Sequence, residues 1–350
     1  MKGLILSGGK GTRLRPFTYS GAKQLVPIAN TPVLHFPVRQ LVEAGITEIG
    51  IIVGETGGQI RDAMGEGEAF GARFTYIPQV EPLGLAHAVA IAEGFLGGEP
   101  FIMYLGDNVL LGGIEWFVDA FRREGTPAVI VRSVPDPSAF GVAEVADGHL
   151  VRMVEKPKEP PTDLAVIGVY AFVPAVFGVI ARQKPSARGE LEIADAINGL
   201  AAAGIPVRAA RTEAAWIDTG KMEDILAANR AILRTIEPGV DPSARLTNVD
   251  VQGQVRIGPG AILRDARVLG PAVIGAGTVV EGSTVGPDVA LGDRAVVRYS
   301  TVVNAIVMED TVVDSCDALV DSMVGRDARL TRMPAASRVA LGDHSRVEVG

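Results

Sequence analysis

Three glycines and three cations fall within eight residues near the start of the chain: Gly8, Gly9, Lys10, Gly11, Arg13 and Arg15. Glycines without Cβ atoms let a backbone bend its N–H groups onto an anion, and the cations add full charge, so the segment is suited to hold phosphate. Two familiar phosphate loops do not fit. Gly-x-x-x-x-Gly-Lys-Ser/Thr is absent, and Gly9-Lys10-Gly11 is followed by Thr12-Arg13-Leu14, where a dinucleotide fingerprint requires its third glycine. A nucleotide site of another kind is indicated.

Other residues offer the chemistry that would accompany such a loop. Asp107 ends an apolar run in Tyr104-Leu105-Gly106-Asp107-Asn108, and Asp218 ends another in Trp216-Ile217-Asp218. Two carboxylates at sheet edges suffice for Mg²⁺, which retains waters and takes phosphate oxygens as further ligands. Taken singly, each aspartate serves equally well as a helix cap or turn former. Lys23 lies in an ordered-looking segment, Lys23-Gln24-Leu25-Val26-Pro27, close to the loop. Gln79 follows a strand and has an amide able to read a base edge, or simply to finish the strand. Glu155 and Lys156, with Arg188, could hold a sugar hydroxyl and its phosphate, or be solvated surface charges. His87 sits in a helix with no second imidazole at ligand spacing and is taken as structural. The four histidines are scattered, and Ser7 has no nucleophile elbow around it. Phosphoryl or nucleotidyl transfer to a substrate that is already a phosphate dianion needs alignment, cations and a metal, and no general base.

Composition narrows the partners. The chain has 350 residues, 47% hydrophobic and 21% charged, with a net charge of −8. This suits two well-cored soluble domains, and the acidity disfavours nucleic acid. The single Cys316 cannot form an intrachain disulfide, and no apolar run is long enough for a signal core or membrane helix. A cytoplasmic protein with small anionic ligands, no nucleic-acid partner and no membrane partner is expected.

The elements that must position these residues are of two kinds. Up to about residue 236, apolar runs at Gly3–Leu6, Ile49–Val53, Phe74–Pro78, Phe101–Leu105 and Ala128–Arg132 alternate with helical segments such as Val33–Ala44 and Leu85–Phe95. That is an α/β pattern with a mainly parallel sheet, whose sites form at the carboxyl ends of strands, where the glycine loop and Asp107 fall. The block Val142–Phe172 is expected to be antiparallel, turning at Asp147-Gly148, and to lie over the sheet. A helix over Lys221–Arg234 closes this domain, and residues 237–244 are expected as a linker. From 245 to 350 the helical period vanishes. Aliphatic-Gly pairs start at Ile257, Ile274, Leu291, Val324 and Leu341, 17, 17, 33 and 17 residues apart, with Met308 filling the gap. Aliphatic residues recur every five or six positions, the hexapeptide pattern of a parallel β-helix of about six coils.

Taken in order, Leu6–Pro16, Lys23–Pro27, Glu81–Ala88, Leu105–Asn108, Phe140–Val142, Glu155–Pro157, Arg188–Ile193 and Trp216–Gly220 resemble the sugar-phosphate nucleotidyltransferases, closest to the long-form glucose-1-phosphate thymidylyltransferases. The resemblance covers essentially the whole chain. It implies a Rossmann-like mixed-sheet catalytic domain over 1–236 and a left-handed parallel β-helix over 245–350. It implies attack of α-D-glucose 1-phosphate on dTTP, giving dTDP-glucose and pyrophosphate, with Mg²⁺. In its terms Leu6, Gly8, Gly9, Gly11, Thr12 and Arg13 bind the triphosphate, and Arg13 and Lys23 are catalytic. Gln79, Pro82 and Gly84 meet the base, with Gly84 admitting it to the backbone. Asp107 binds nucleotide and, with Asp218, metal. Asn108, Gly141, Glu155, Lys156, Tyr170 and Arg188 receive the sugar phosphate. A homo-oligomer is expected. Uridylyl, adenylyl and guanylyl transfer are alternatives, as is an inactive regulatory subunit of the same layout. Acyl transfer by the β-helix is disfavoured, since only His344 lies beyond His149. Ser7 departs from the pattern, standing where alanine is common.

Overall fold

The computed structural model describes residues 1–349, which gather into two compact units. One joins Met1–Lys10 to Leu34–Trp216; the other joins Gly11–Val33 to the residues from Ile217 onward. The division thus passes through the glycine loop.

In the first unit, strands β1 (Lys2–Ser7), β2 (Glu48–Val53), β3 (Arg73–Pro78), β4 (Phe101–Leu105), β5 (Ala128–Ser133), β6 (Gly141–Ala146), β7 (His149–Glu155), β8 (Leu164–Phe172) and β9 (Arg208–Arg211) form one sheet. Its order is β3-β2-β1-β4-β8-β5-β9-β7-β6. The first four of these neighbours run parallel, and β8 is antiparallel to both β4 and β5. The sheet is therefore mixed. Helices α1 (His35–Glu43), α2 (Gly57–Met64), α3 (Leu85–Ile91), α4 (Glu115–Glu124), α5 (Ala175–Ile180) and α6 (Ile193–Ala202) flank the strands. The period-2 alternation of β1 shows how the two faces are covered. Leu4 and Leu6 join the core cluster of Val89, Val176 and Ile197 from α3, α5 and α6, whereas the bare Cα of Gly3 faces Leu41 of α1.

The block from 142 to 172 departs from expectation. Hairpin β6–β7 turns at Asp147 and Gly148, both in the left-handed region, but it extends the same sheet through β9 and does not lie over it. The nine residues of β8 are all buried. A strand apolar on both faces belongs at the centre of a covered sheet.

In the second unit the C-terminal residues form parallel ladders. Val255–Ile257, Ala272–Ile274 and Val289–Leu291 stack in one; Ile262–Arg264, Val279–Glu281 and Val296–Arg298 stack in another; Arg267–Val268, Thr284–Val285 and Thr301–Val302 stack in a third. Leu263, Val268, Val280, Val285, Val297 and Val302 line the core completely buried. The aliphatic-Gly pair has a steric cause. A Cβ on Gly275 would lie 2.5 Å from the Gly292 carbonyl carbon, and one on Gly292 2.5 Å from the Glu309 nitrogen. Each turn therefore rests directly on the backbone of the next. Met308 takes the glycine position in this series, its N–H donating to Val324 as Gly292 donates to Val307 and Gly325 to Leu341. The step from Val289 to Ala305 is 16 residues, because Val303-Asn304 turns a corner that Gly286-Pro287-Asp288 turns with one residue more. Cys316 is buried in this core, where desolvation raises its thiol pKa. Residues 237–244 include Gly239–Val240, which pairs with Arg256–Ile257 at the start of the first ladder.

Helix α7 (Met222–Leu233) belongs to the second unit. Among the described residues no helix is long and apolar enough to cross a membrane.

Candidate active site

In the first unit the carboxyl ends of β1, β3 and β4 carry Gly8, Gln79 and Asp107. Leu6 is core, and its carbonyl accepts from the Gly106 N–H at 2.9 Å. A Cβ on Gly8 would lie 3.2 Å from Gln79 Oε1, close enough to press on that side chain, while one on Gly54 would lie 2.8 Å from the Gly8 carbonyl oxygen, so Gly54 must be bare. Gly9, in contrast, has open space where a Cβ would project. Gln79 is oriented by its neighbours. Its Nε2 lies 3.2 Å from the Gly84 carbonyl and 3.0 Å from His87 Nδ1. The role of His87 is thus structural, since it holds the amide that faces the loop.

Gly84 has φ 102°, and its missing Cβ would fall 2.5 Å from the Leu191 carbonyl oxygen. The glycine is required because the 190–191 backbone crosses it on the side where a Cβ would project. Pro82 is exposed in the loop before it.

Of the expected sugar-phosphate residues, Lys156 and Arg188 are exposed, Glu155 is half-buried, and Asn108, Gly141 and Tyr170 are buried. Gly141 faces Glu155 across the β6–β7 ladder, and a Cβ on it would meet Met153 Cε. Glu155 is half-buried; burial raises its pKa, against the lowering effect of Lys156 at 3.5 Å and Arg188 at 3.8 Å. Lys156 is held in the left-handed region, and its N–H donates to Phe140. Three further expected residues have partners within the protein. Asn108 is 2% exposed and donates its amide to the Ile167 carbonyl at 2.7 Å, tying the loop after β4 to β8. Tyr170 is a core ring stacked on Phe172 at 5.8 Å, its phenol pKa raised chiefly by burial. Arg188 is committed to carboxylates: it forks onto Glu192 at 2.7 and 3.0 Å and lies 3.6 Å from Glu190. The Arg188 side chain is exposed, and its Nη1 makes none of these hydrogen bonds.

Glu192 is a member of this cluster that the sequence did not single out. Burial would raise its pKa, but the hydrogen bonds from Arg188 and Ser186 outweigh that and hold it below the ordinary glutamate value. The four-residue spacing from Arg188 was the available signal.

The second unit carries the rest. Gly11 has φ 61°, and a Cβ would press on Lys23 Cβ at 2.9 Å and Thr18 at 3.0 Å. The Gly11 carbonyl accepts from Thr18 Oγ1 at 2.8 Å and from the Leu14 N–H at 2.9 Å. These contacts fix the short turn Thr12–Leu14, on which Thr12 and Arg13 are exposed. Lys23 is 8% exposed, an unusual burial for an ammonium. The space beside Gly220 brings two expected residues together: a Cβ there would lie 3.4 Å from an Arg13 guanidinium nitrogen and 3.5 Å from Asp218 Oδ2. Gln24 was also missed. It is 2% exposed, and its Oε1 has no hydrogen-bond partner among the described residues, so a buried acceptor stands next to Lys23 in sequence. Its only sequence signal was a polar residue inside an apolar run.

A glycine turn, buried and exposed cations, and strand-end carboxylates on a mixed sheet are features of nucleotidyl transfer, and the nucleotidyl transferase family model matches residues 2–235. The chain belongs to that family. It is 45% identical over 277 residues to a glucose-1-phosphate thymidylyltransferase of Streptomyces antibioticus, covering 74% of this chain and 78% of that protein. It is 50% identical over 236 residues to a low-salt glycan biosynthesis nucleotidyltransferase of Haloferax volcanii, covering 67% and 66%. Among solved structures, a Bacillus anthracis protein assigned as a glucose-1-phosphate thymidylyltransferase, in complex with sucrose, matches 68% of this chain and 97% of its own at TM-score 0.64 and 37% identity. A UDP-glucose pyrophosphorylase with UDP-glucose matches 67% and 99% at TM-score 0.61 and 25% identity.

Proposed function

We propose that this protein transfers a thymidylyl group from dTTP to α-D-glucose 1-phosphate, releasing pyrophosphate and dTDP-glucose. The observation that carries the reading is the 45% identity over 277 residues to a glucose-1-phosphate thymidylyltransferase. The sugar phosphate oxygen forms the new bond to the α-phosphorus as the bond to pyrophosphate breaks. The attacking oxygen carries no proton to be removed, which agrees with the lack of a nucleophile and base pair in the chain.

The chain's residues align and neutralise. Gly8, Gly9, Gly11 and Thr12 offer backbone N–H groups to the triphosphate. Arg13 meets charge developing on the departing pyrophosphate, and buried Lys23 faces phosphate at the reacting centre. Gln79 reads the base, and Glu155 accepts hydroxyl hydrogen bonds from glucose while Lys156 lies toward its phosphate. Asn108, Gly141 and Tyr170 line the glucose pocket with Glu155, and Arg188 joins Lys156 at the sugar phosphate.

Asp107 and Asp218 are proposed as the Mg²⁺ carboxylates. The donor set fits a hard cation: both residues offer carboxylate oxygens, and Mg²⁺ commonly takes one or two carboxylates plus water and phosphate. When bound, the ion would neutralise phosphate charge. The reading further comprises a left-handed C-terminal β-helix, a cytoplasmic setting and a homo-oligomer.

Pyrophosphate release from dTTP and glucose 1-phosphate tests it. The Asp107→Ala and Asp218→Ala variants are expected to lose about 2–4 kcal/mol of transition-state stabilisation; full Mg²⁺-dependent turnover in either would remove the metal assignment.

A further inference from the structure

We infer that the C-terminal coils and helix α7 act as the positioning frame of the segment that carries Arg13 and Lys23, so that Asn30 and Arg326 are positioning residues of the reaction. The inference rests on the proposed function for what is catalysed, but not for the geometry.

Gly11–Val33 belongs with the coils, and polar tethers mark its length. Pro16 sits against the coil turn at Gly342, where a Cβ would meet its Cβ at 3.2 Å. Ser20 Oγ donates to Asp343 Oδ2 at 2.7 Å, and Asp343 Oδ1 accepts from the Arg326 N–H at 2.8 Å. Arg326, paired with Glu309, reaches the Leu25 carbonyl at 3.4 Å. The tight hairpin of Pro27–Ile28 and Thr31–Pro32 turns through Ala29 and Asn30, both at positive φ. Such a conformation is costly for alanine and persists only where surroundings hold it. Here Asn229 of α7 accepts the Ala29 N–H at 2.8 Å, and Asn30 Nδ2 donates to the coil carbonyl of Leu291 at 2.6 Å.

Val26, Ile28 and Val33 of the segment are buried, but the contact with the coils is not completely filled. A cavity of about 260 Å³ lined by Leu25, Asn30, Arg294, Met308 and Arg326 lies within it. Beside that cavity the hydrogen bonds at Ser20, Leu25, Ala29 and Asn30 supplement the apolar packing in fixing where the segment lies, and Lys23 stands between the tethers at Ser20 and Leu25. Phosphoryl-transfer geometry is intolerant of small displacements.

The test compares the full-length protein with Asn30→Gly, which keeps the positive φ and removes the amide, and with Arg326→Ala and Arg326→Lys. Arg298→Ala, which removes only the coil pair with Glu281, is the control. Thermal unfolding, kcat and KM are measured, with amide hydrogen exchange of residues 11–33. Asn30→Gly and Arg326→Ala are expected to lower kcat about tenfold with KM within about threefold, on the scale of a small misplacement of reacting groups. Exchange in 11–33 should rise while the coil stays protected, and Arg326→Lys should recover part of the loss. Unchanged exchange and kcat in both variants, or an equal effect of Arg298→Ala, would overturn the inference. If the unaltered protein releases no pyrophosphate from any nucleotide pair, the proposed function fails, and hydrogen exchange still decides the positioning role.

Discussion

Arg13 and Asp218 both border the bare side of Gly220. An added methyl would sit at contact distance, whereas the branched carbons of valine would enter the guanidinium. Gly220→Ala is therefore expected to cost less than about threefold in kcat/KM and Gly220→Val more than about tenfold, with both folded, on the scale of one displaced charge-stabilising group. Equal activity of the two would show that Arg13 does not need that space. Ser7 makes the opposite case. It is completely buried, and its hydroxyl lacks a partner among the described residues. An unmade buried hydrogen bond costs about 1–3 kcal/mol, so Ser7→Ala should raise stability by about 1 kcal/mol in denaturant unfolding; a loss would mean the hydroxyl is satisfied in solution. The sequence made the glycines and the cations legible because their types carry the chemistry. It did not make legible that Arg188 would pair with Glu192, that Asn108 would be tied to Ile167, or that Leu191 would cross the bare side of Gly84. Those outcomes depend on chain crossings that no local spacing encodes.

At the scale of elements, helix α1 begins at His35, whose ring meets Phe70 edge-on at 4.9 Å. Burial first, and Arg39 second, push its pKa down from 6.5 to about 4. The folded state thus favours the neutral ring. Its contribution to stability is complete above the ordinary value and declines as pH falls from about 6.5 to about 4, because the unfolded chain takes up the proton first. His35→Phe should flatten the pH dependence of the unfolding midpoint across that window; an unchanged slope would mean that His35 takes up its proton alike in the folded and unfolded chains. The parallel strands of the first unit and the 17-residue spacing of the coils were legible because each is a hydrophobic period held by one face. The place of Val142–Phe172 was not. Alternation identified the hairpin, but its place in the sheet comes from the pairing of His149 with Arg208 of β9, a long-range contact with no local pattern.

For the molecule as a whole, a net charge of −8 surrounds a loop of cations suited to phosphate, so binding of anionic substrates depends on local fixed charge and not on the overall field. Family membership was legible from eight motifs in order, and the nucleotidyl transferase model confirms it across residues 2–235. Substrate choice is the finer claim. Thymine and uracil differ by one methyl, a group that supports about 1–3 kcal/mol of discrimination, and the structural neighbours include a UDP-glucose pyrophosphorylase. The most direct measurement is therefore kcat/KM for pyrophosphate release with dTTP, UTP, ATP and GTP, each against glucose 1-phosphate and a second sugar 1-phosphate. The highest value is predicted for dTTP with glucose 1-phosphate, followed by UTP within the range one methyl allows. A higher value for another nucleotide, or no release with any pair, would contradict it.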